Sequence, residues 1–215
     1  MADRSARDFY SRERIAWRDG IVLAGVDEVG RGPLAGPVVA VALVLPEGLE
    51  LEGLDDSKVV PAARRLRLYR ALQAGGAHMG VGAVGPRGID QVNILQATRL
   101  AMWRALADLP AEPDWIVVDA MPLLAPVPVE ALLHGDGRAA SVAAASVVAK
   151  VLRDRYMTVL DQVYPGYGFA QNKGYGTREH LAALARLGPT AAHRRSFLPV
   201  EAAAAAGNEG QDPLL

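Results

Sequence analysis

Eight consecutive apolar residues, Val38 to Leu45, lie between Pro37 and Pro46. A run that short cannot cross a hydrocarbon core of about 30 Å, so the residues Val38-Val39-Ala40-Val41-Ala42-Leu43-Val44-Leu45 are expected to form a buried strand. A second apolar run, Ile21 to Val26, precedes it across the turn Gly30-Arg31-Gly32-Pro33-Leu34-Ala35-Gly36-Pro37, and the two runs, 21–27 and 37–45, read as an antiparallel pair. Residues 77–85 supply a third strand. Trp115-Ile116-Val117-Val118-Asp119 reads as a buried parallel strand, and a short fifth is expected around Val127 to Leu133. Between them, Ala62 to Ala74 has Leu66, Tyr69 and Leu72 at helical spacing, and after Pro86 the residues Val92, Leu95, Met102 and Leu106 form an apolar stripe. Ala139 to Asp154 is rich in alanine, with Ser141 as its expected cap and side chains small enough to let the helix lie close to a sheet. This order predicts an α/β fold: a mixed five-stranded sheet flanked by helices, with a helical C-terminal part.

The length of 215 residues suits one domain. The residues are 51% hydrophobic and 22% charged, as in an ordinary globular chain. With no cysteine there can be no disulfide framework or thiolate metal site, which suits a reducing compartment. Four scattered histidines without an HExxH pair argue against zinc. The amino terminus has acid close behind it and no apolar core, so it does not read as a signal peptide, and a cytoplasmic location is expected. Beyond Glu201 the chain is of low complexity, which sets expected boundaries of a folded domain at 1–200 and a flexible tail at 201–215. The formal net charge of -1 gives no hint of nucleic acid, although a local cluster of cations can coexist with an acidic site.

The first strand runs directly into Asp27-Glu28 and then glycine. Successive strand residues face opposite ways, so the two carboxylates can meet on one ion only if the chain leaves the pleat there, as Gly30 and Gly32 would permit. Asp119 ends the fourth strand, and Asp136 lies in His134-Gly135-Asp136-Gly137. Each acid alone also reads structurally, as a surface turn, a cap or a Gly-Asp-Gly bend. Brought together, four carboxylates repel and raise one another's pKa unless a cation intervenes. Oxygen-only donors suit Mg²⁺ or Mn²⁺, and two such ions about 3.5–4 Å apart clamp both reacting oxygens of a phosphodiester. The GRGPLAG stretch fails the GxGxxG spacing of dinucleotide binders. Asp154 lies one helical turn beyond Lys150, so it either pairs with that lysine or supports the acidic site.

The Asp-Glu pair followed by glycine-arginine-glycine, Asp119, Asp136, the segment Asp90 to Thr98 and Asn172-Lys173-Gly174-Tyr175-Gly176-Thr177 together resemble the ribonuclease HII family, from about Ala24 to Phe197. The resemblance implies a ribonuclease H-like fold in which Asp27, Glu28, Asp119 and Asp136 are the catalytic metal ligands. It implies that the backbone of Gly30-Arg31-Gly32 approaches a ribose 2′-hydroxyl, where a side chain would obstruct, and that Tyr175 packs on the sugar rather than merely covering a turn. Ser57, Lys58 and Lys173 are then substrate contacts, as is the His193 to Phe197 segment. Lys150, Arg153, Asp154 and His180 would support the metal site or a phosphate. After Asp56-Ser57-Lys58 the chain continues Val59-Val60-Pro61, unlike the lysine-leucine continuation of relatives.

The implied activity is cleavage of the RNA strand of RNA/DNA hybrids and of duplex DNA at embedded ribonucleotides, leaving 5′-phosphate and 3′-hydroxyl ends, by a monomer. Two rivals stand beside it: another metal-dependent nuclease on the same sheet type, and a hybrid-binding module without turnover. The tail Gln211-Asp212-Pro213-Leu214-Leu215 resembles a degenerate peptide for bacterial sliding clamps, or is a frayed end.

Overall fold

The computed structural model describes residues 9–55 and 57–209. In chain order they form α1 (Ser11–Asp19), β1 (Leu23–Val29), β2 (Val38–Val44), α2 (Ala62–Ala74), β3 (His78–Val84), α3 (Pro86–Ala107), β4 (Trp115–Asp119), β5 (Val129–Leu132), α4 (Ala140–Val163), α5 (Phe169–Asn172), α6 (Arg178–Leu187) and α7 (Leu198–Glu209). The sheet order is β3-β2-β1-β4-β5; β1 is antiparallel to β2 and parallel to β4, and β4 is parallel to β5. This is the mixed five-stranded sheet expected from the apolar runs. Among the described residues no helix is long and apolar enough to cross a membrane.

The chain packs as two compact units. The first comprises the residues up to Val29, 39–83 and 99–151, and contains nearly all of the sheet. Every residue of β2 from Val38 to Leu43 is buried, which is why that run carries no polar alternation. Ala16, Leu23, Val117, Leu132, Ala139 and Val142 form one of its apolar clusters. Close packing of α4 on β1 depends on Gly25, where an added Cβ would fall 2.6 Å from the Ser141 Cβ.

Ser141 is not the cap it was expected to be: it sits inside α4, and its buried hydroxyl has no hydrogen-bond partner. The helix end is met from 128 residues away by Glu13 of α1, whose Oε1 accepts the Ser141 N–H at 2.8 Å. A carboxylate there also suits the helix dipole. Arg12 fixes α1 further through a two-pronged contact with Glu130, at 3.0 and 2.7 Å.

The second unit comprises 30–38, 84–98 and the chain from Leu152 onward. Its core gathers Leu34, Met157, Leu160, Tyr167, Phe169, Leu184 and Val200. The alanine run after Glu201, expected as a loose tail, continues α7 as far as Glu209.

The stripe expected on α3 is also displaced. Val92 and Leu95 are 39% and 41% exposed, while Ile89, Ala97, Ala101, Met102 and Ala105 are buried. The cause is a break at Asn93 (φ 66, ψ 166), whose Oδ1 caps the following turn by accepting the N–H groups of Leu95 and Gln96. The helical phase restarts there.

Candidate active site

In the first unit the ladder pairs Val26 with Val118, so the next residues on these parallel strands are Asp27 and Asp119. Register therefore turns both carboxylates toward one face. Asp27 is only 5% exposed. Burial raises its pKa well above the ordinary carboxylate value, and Glu28 and Asp119 add to the rise. Hydrogen bonds from the Ser146 hydroxyl and the Glu28 amide oppose it. The Ser146 and Ser57 hydroxyls are themselves hydrogen-bonded at 2.8 Å. Ser57 thus backs the hydroxyl that Asp27 meets.

Asp119 Oδ1 accepts the Gly135 N–H at 2.7 Å, which ties the end of β4 to the turn bearing Asp136. Both approaches use left-handed backbone: Ala120 (φ 48) follows Asp119, and His134 (φ 56) opens the turn. Such residues cost of order 1 kcal/mol each and cluster at functional sites. Asp136 is buried, and the exposed Lys58 places its ammonium 3.7 Å from the carboxylate.

Two expectations change. The pleat does not break after Asp27: β1 continues regularly, pairing Glu28 with Ala40 and Val29 with Val39. The departure comes at Gly30 (φ 91). Glu28 thus alternates away from Asp27, and Asp136 is drawn to Lys58. Among the described residues no three Asp, Glu, His or Cys side chains stand close enough to share one ion. The donor chemistry still fits a hard divalent cation, since the acids are all oxygen ligands and Asp27 carries a buried charge that its neighbours disfavour. Ser57, expected to meet substrate, is instead 5% exposed and supports Ser146. Asp56 lies outside the described residues.

In the second unit the Gly30-Arg31-Gly32 turn is held by two arginines with no exposed surface. Arg194 donates to Gly36 O (3.0 and 2.9 Å), Arg31 O (2.8 Å) and Gly30 O (2.5 Å). Arg153 donates to Pro37 O (3.0 Å), Ala35 O (3.2 Å) and Lys173 O (3.0 Å). Arg153 therefore grips backbone and is not available to a phosphate. Burial, followed by the proximity of Arg153, brings the Arg194 pKa down to about 9. With the loop carbonyls drawn inward, Arg31 and Gly32 remain exposed. A Cβ on Gly32 would lie 3.7 Å from Tyr175 Cε1, so the half-exposed ring stands beside the bare turn.

Tyr175 is braced from behind. Thr190 N–H donates to His193 Nδ1 (3.1 Å), which assigns the proton of His193 to Nε2; that proton is shared with His180 Nε2 (3.2 Å), leaving His180 Nδ1–H to donate to Tyr175 O (2.8 Å). Both rings must be neutral for this order. Burial lowers both pKa values, that of His193 to about 4. His180 is consequently a buried brace rather than a phosphate ligand. Lys173 spends its ammonium on Ala170 O at 2.5 Å. Lys150 and Asp154 are half-buried, one turn apart on α4. Asp90 accepts the Arg195 and Ser196 N–H groups at 3.0 and 2.9 Å, fixing the segment that carries Arg194.

The sequence pattern gave no warning of the interior roles of Arg153, Arg194, Ser146 and Glu13. The one available signal was the placement of Ser146 and Arg153 within an otherwise apolar helix.

A sequence model of the family described as ribonuclease HII matches residues 24–200. The chain is 50% identical to ribonuclease HII of Enterococcus faecalis over 190 residues, covering 88% of this chain and 74% of that protein. It is 50% identical to the Levilactobacillus brevis enzyme over 203 residues, covering 93% and 79%. Among solved structures, ribonuclease H2 of Pyrococcus horikoshii superposes with a TM-score of 0.73 at 26% identity, covering 87% of this chain and 99% of that one. The PCNA:RNase HII complex of Archaeoglobus fulgidus gives 0.69 at 25% identity, covering 82% and 95%. The chain belongs to the ribonuclease HII family and is a ribonuclease H hydrolase.

Proposed function

We propose that the enzyme hydrolyses the ribose-containing strand of RNA/DNA hybrids and of duplex DNA with embedded ribonucleotides, using two divalent ions held by Asp27, Glu28, Asp119 and Asp136. The observation that carries the reading is Asp27, a buried carboxylate whose charge is disfavoured by burial, Glu28 and Asp119. A side chain kept at that electrostatic disadvantage suits a cation site. Mg²⁺ or Mn²⁺ supplies Lewis-acid stabilisation of the attacking and leaving oxygens of a phosphodiester.

The chain's own groups do the positioning. Ser146 and the Glu28 amide orient Asp27, and the Gly135 amide orients Asp119. Joining the set requires Glu28 to swing from its strand face and Lys58 to release Asp136; the freed ammonium is then available to a phosphate. Gly32 leaves room for a sugar, and Tyr175 offers an apolar face with a hydroxyl for the 2′ position. In the reaction, the oxygen of water joins phosphorus, the P–O3′ bond breaks and O3′ takes a proton, giving 5′-phosphate and 3′-hydroxyl ends. Contact with a sliding clamp through Gln211–Leu215 is part of the proposal; its support is the peptide's composition and the PCNA complex of the Archaeoglobus relative. That segment lies outside the described residues.

The test uses labelled duplexes carrying no ribonucleotide, one, or a full RNA strand, incubated with wild type and Asp119→Asn, with and without Mg²⁺. Cutting is expected only where ribose and metal are both present, and not with the variant. Equal cutting of all-DNA duplex would end the sugar-selective reading; full activity of Asp119→Asn would end its ligand role.

A further inference from the structure

Much of the positive charge in the chain is spent internally. Arg153 and Arg194 are buried on carbonyls, and Arg12, Arg14 and Arg18 pair with Glu130, Glu50 and Asp19. On α2, Arg65 donates to Ser57 O and Val60 O at 2.9 and 2.6 Å. The same helix also carries Arg64, Arg67 and Arg70, all exposed, while Leu68 and Leu72 face inward. Steps of three residues keep the three side chains within roughly 120° of arc, with neighbours about 5–6 Å apart. There is no acid in α2. Among the described residues no carboxylate pairs with any of the three: Arg64 reaches only Glu52 O at 3.4 Å, although the Glu52 side chain shares a groove with Arg64 and Arg67.

This arrangement works against the helix. Like charges at that spacing repel, and arginine in the first turn opposes the dipole. Retaining three unopposed guanidinium groups is understandable if they meet an anion, and the substrate of a ribonuclease H is a polyanion. From Arg64 to Arg70 the helix rises about 9 Å, against one phosphate per about 3.4 Å of axis on each strand, so the row spans two to three phosphates. Its position relative to the acids is fixed within the first unit: Arg65 holds the carbonyl of Ser57, whose hydroxyl meets Ser146, which in turn meets Asp27.

We infer that the exposed Arg64-Arg67-Arg70 face of α2 is a second anchoring surface, binding the sugar-phosphate backbone of the duplex away from the reaction centre. A net charge of -1 does not oppose this, because three exposed cations stand in one row on a helix that carries no acid. The inference rests on a duplex substrate, as the family implies, but not on the two-ion reading.

The test is binding of a ribonucleotide-containing duplex without divalent ion, followed by fluorescence anisotropy from about 50 to 200 mM salt. The triple variant Arg64→Ala/Arg67→Ala/Arg70→Ala is expected to bind roughly ten- to hundred-fold more weakly at the low end, with a log–log salt slope shallower by about two to three. The triple lysine variant is expected to recover most of the affinity, because the contact is with charge rather than a base edge. With metal present the loss falls on KM rather than kcat. An alanine triple with wild-type affinity and salt slope would overturn the inference, and so would a lysine triple as weak as the alanine triple. Failure of metal-dependent cleavage would leave the binding result intact.

Discussion

Replacing Arg194 separates its charge from its hydrogen-bonding geometry. Its four N–H contacts reach three carbonyls, those of Gly30, Arg31 and Gly36. At about 1–3 kcal/mol for each orphaned carbonyl, their loss costs of order 6 kcal/mol. Against this, burial beside Arg153 brings the guanidinium pKa from its ordinary value down to about 9, a penalty of about 4–5 kcal/mol at 1.36 per unit, and an uncharged side chain escapes it. Arg194→Met, which keeps most of the volume, should therefore lose only about 1–2 kcal/mol, or roughly 2–8 °C in midpoint for a chain of this size. Arg194→Lys keeps the buried charge but offers a point donor where a planar fork served three acceptors. It should be no more stable than the methionine variant. Both should cleave poorly, because the freed loop no longer fixes Gly32 beside Tyr175. Calorimetry and steady-state cleavage on a single-ribonucleotide duplex read the two effects. A lysine variant with wild-type midpoint and turnover would refute the reasoning, since charge alone would then suffice.

Asp27→Asn should stabilise the fold while abolishing cleavage: the folded-state pKa is raised, so stability is lost as pH climbs through the unfolded and then the folded value, and the amide removes that loss. A urea midpoint lower than wild type at neutral pH would contradict it. His180 and His193 have depressed pKa values, so their contribution is present above the ordinary 6.5 and fades as pH falls toward about 4. For His193 the loss is at most about 3 kcal/mol. Denaturant titrations across that window should show it in wild type and flatten in His193→Gln; an equal slope in the variant would place the effect elsewhere. Gly30→Ala should cost about 1–3 kcal/mol and most of the activity, because φ is 91 and the new Cβ would lie 2.7 Å from Arg153 Cδ and 2.8 Å from Pro37 O. A thermal midpoint equal to wild type would show that the turn relaxes freely.

What could be read from the sequence followed periodicity and punctuation. The helix Ala62–Ala74 and the strand Trp115–Asp119 have the expected ends, because the first follows Pro61 and the second ends at an acid. Helix α1, SRERIAWRD, was missed because its polar surface gives no apolar stripe; its hold on the fold is the long-range contact of Glu13 with Ser141. The α3 stripe failed because a single left-handed residue, Asn93, resets the helical phase. Arg153, Arg194 and His180 looked like surface or phosphate-binding groups, since residue type alone predicts exposure for charged side chains. Their carbonyl partners lie 20 to 164 residues away except for the Tyr175 carbonyl, five residues from His180, so no local pattern could reveal them.

Both units place ionised groups where stability alone would disfavour them, and the burdens have opposite sign. Asp27 is a buried acid among acids; Arg153 and Arg194 are buried cations that donate to neutral carbonyls. A core of apolar residues would be cheaper in each place. The guanidinium pair is best explained by shape: six carbonyls, five of them within residues 30–37, must be turned inward to leave Gly32 bare, and only a planar fork with five donors can hold several acceptors at once. The acid admits no such explanation, because Ser146 and one amide already orient it while its charge remains disfavoured. Only Glu28 and Val29 lie between Asp27 and Gly30, so the demand for charge and the demand for bare backbone meet at the end of one strand. Shortening or lengthening that link by one residue should therefore abolish cleavage even if both units fold, because a one-residue shift turns every strand side chain to the opposite face.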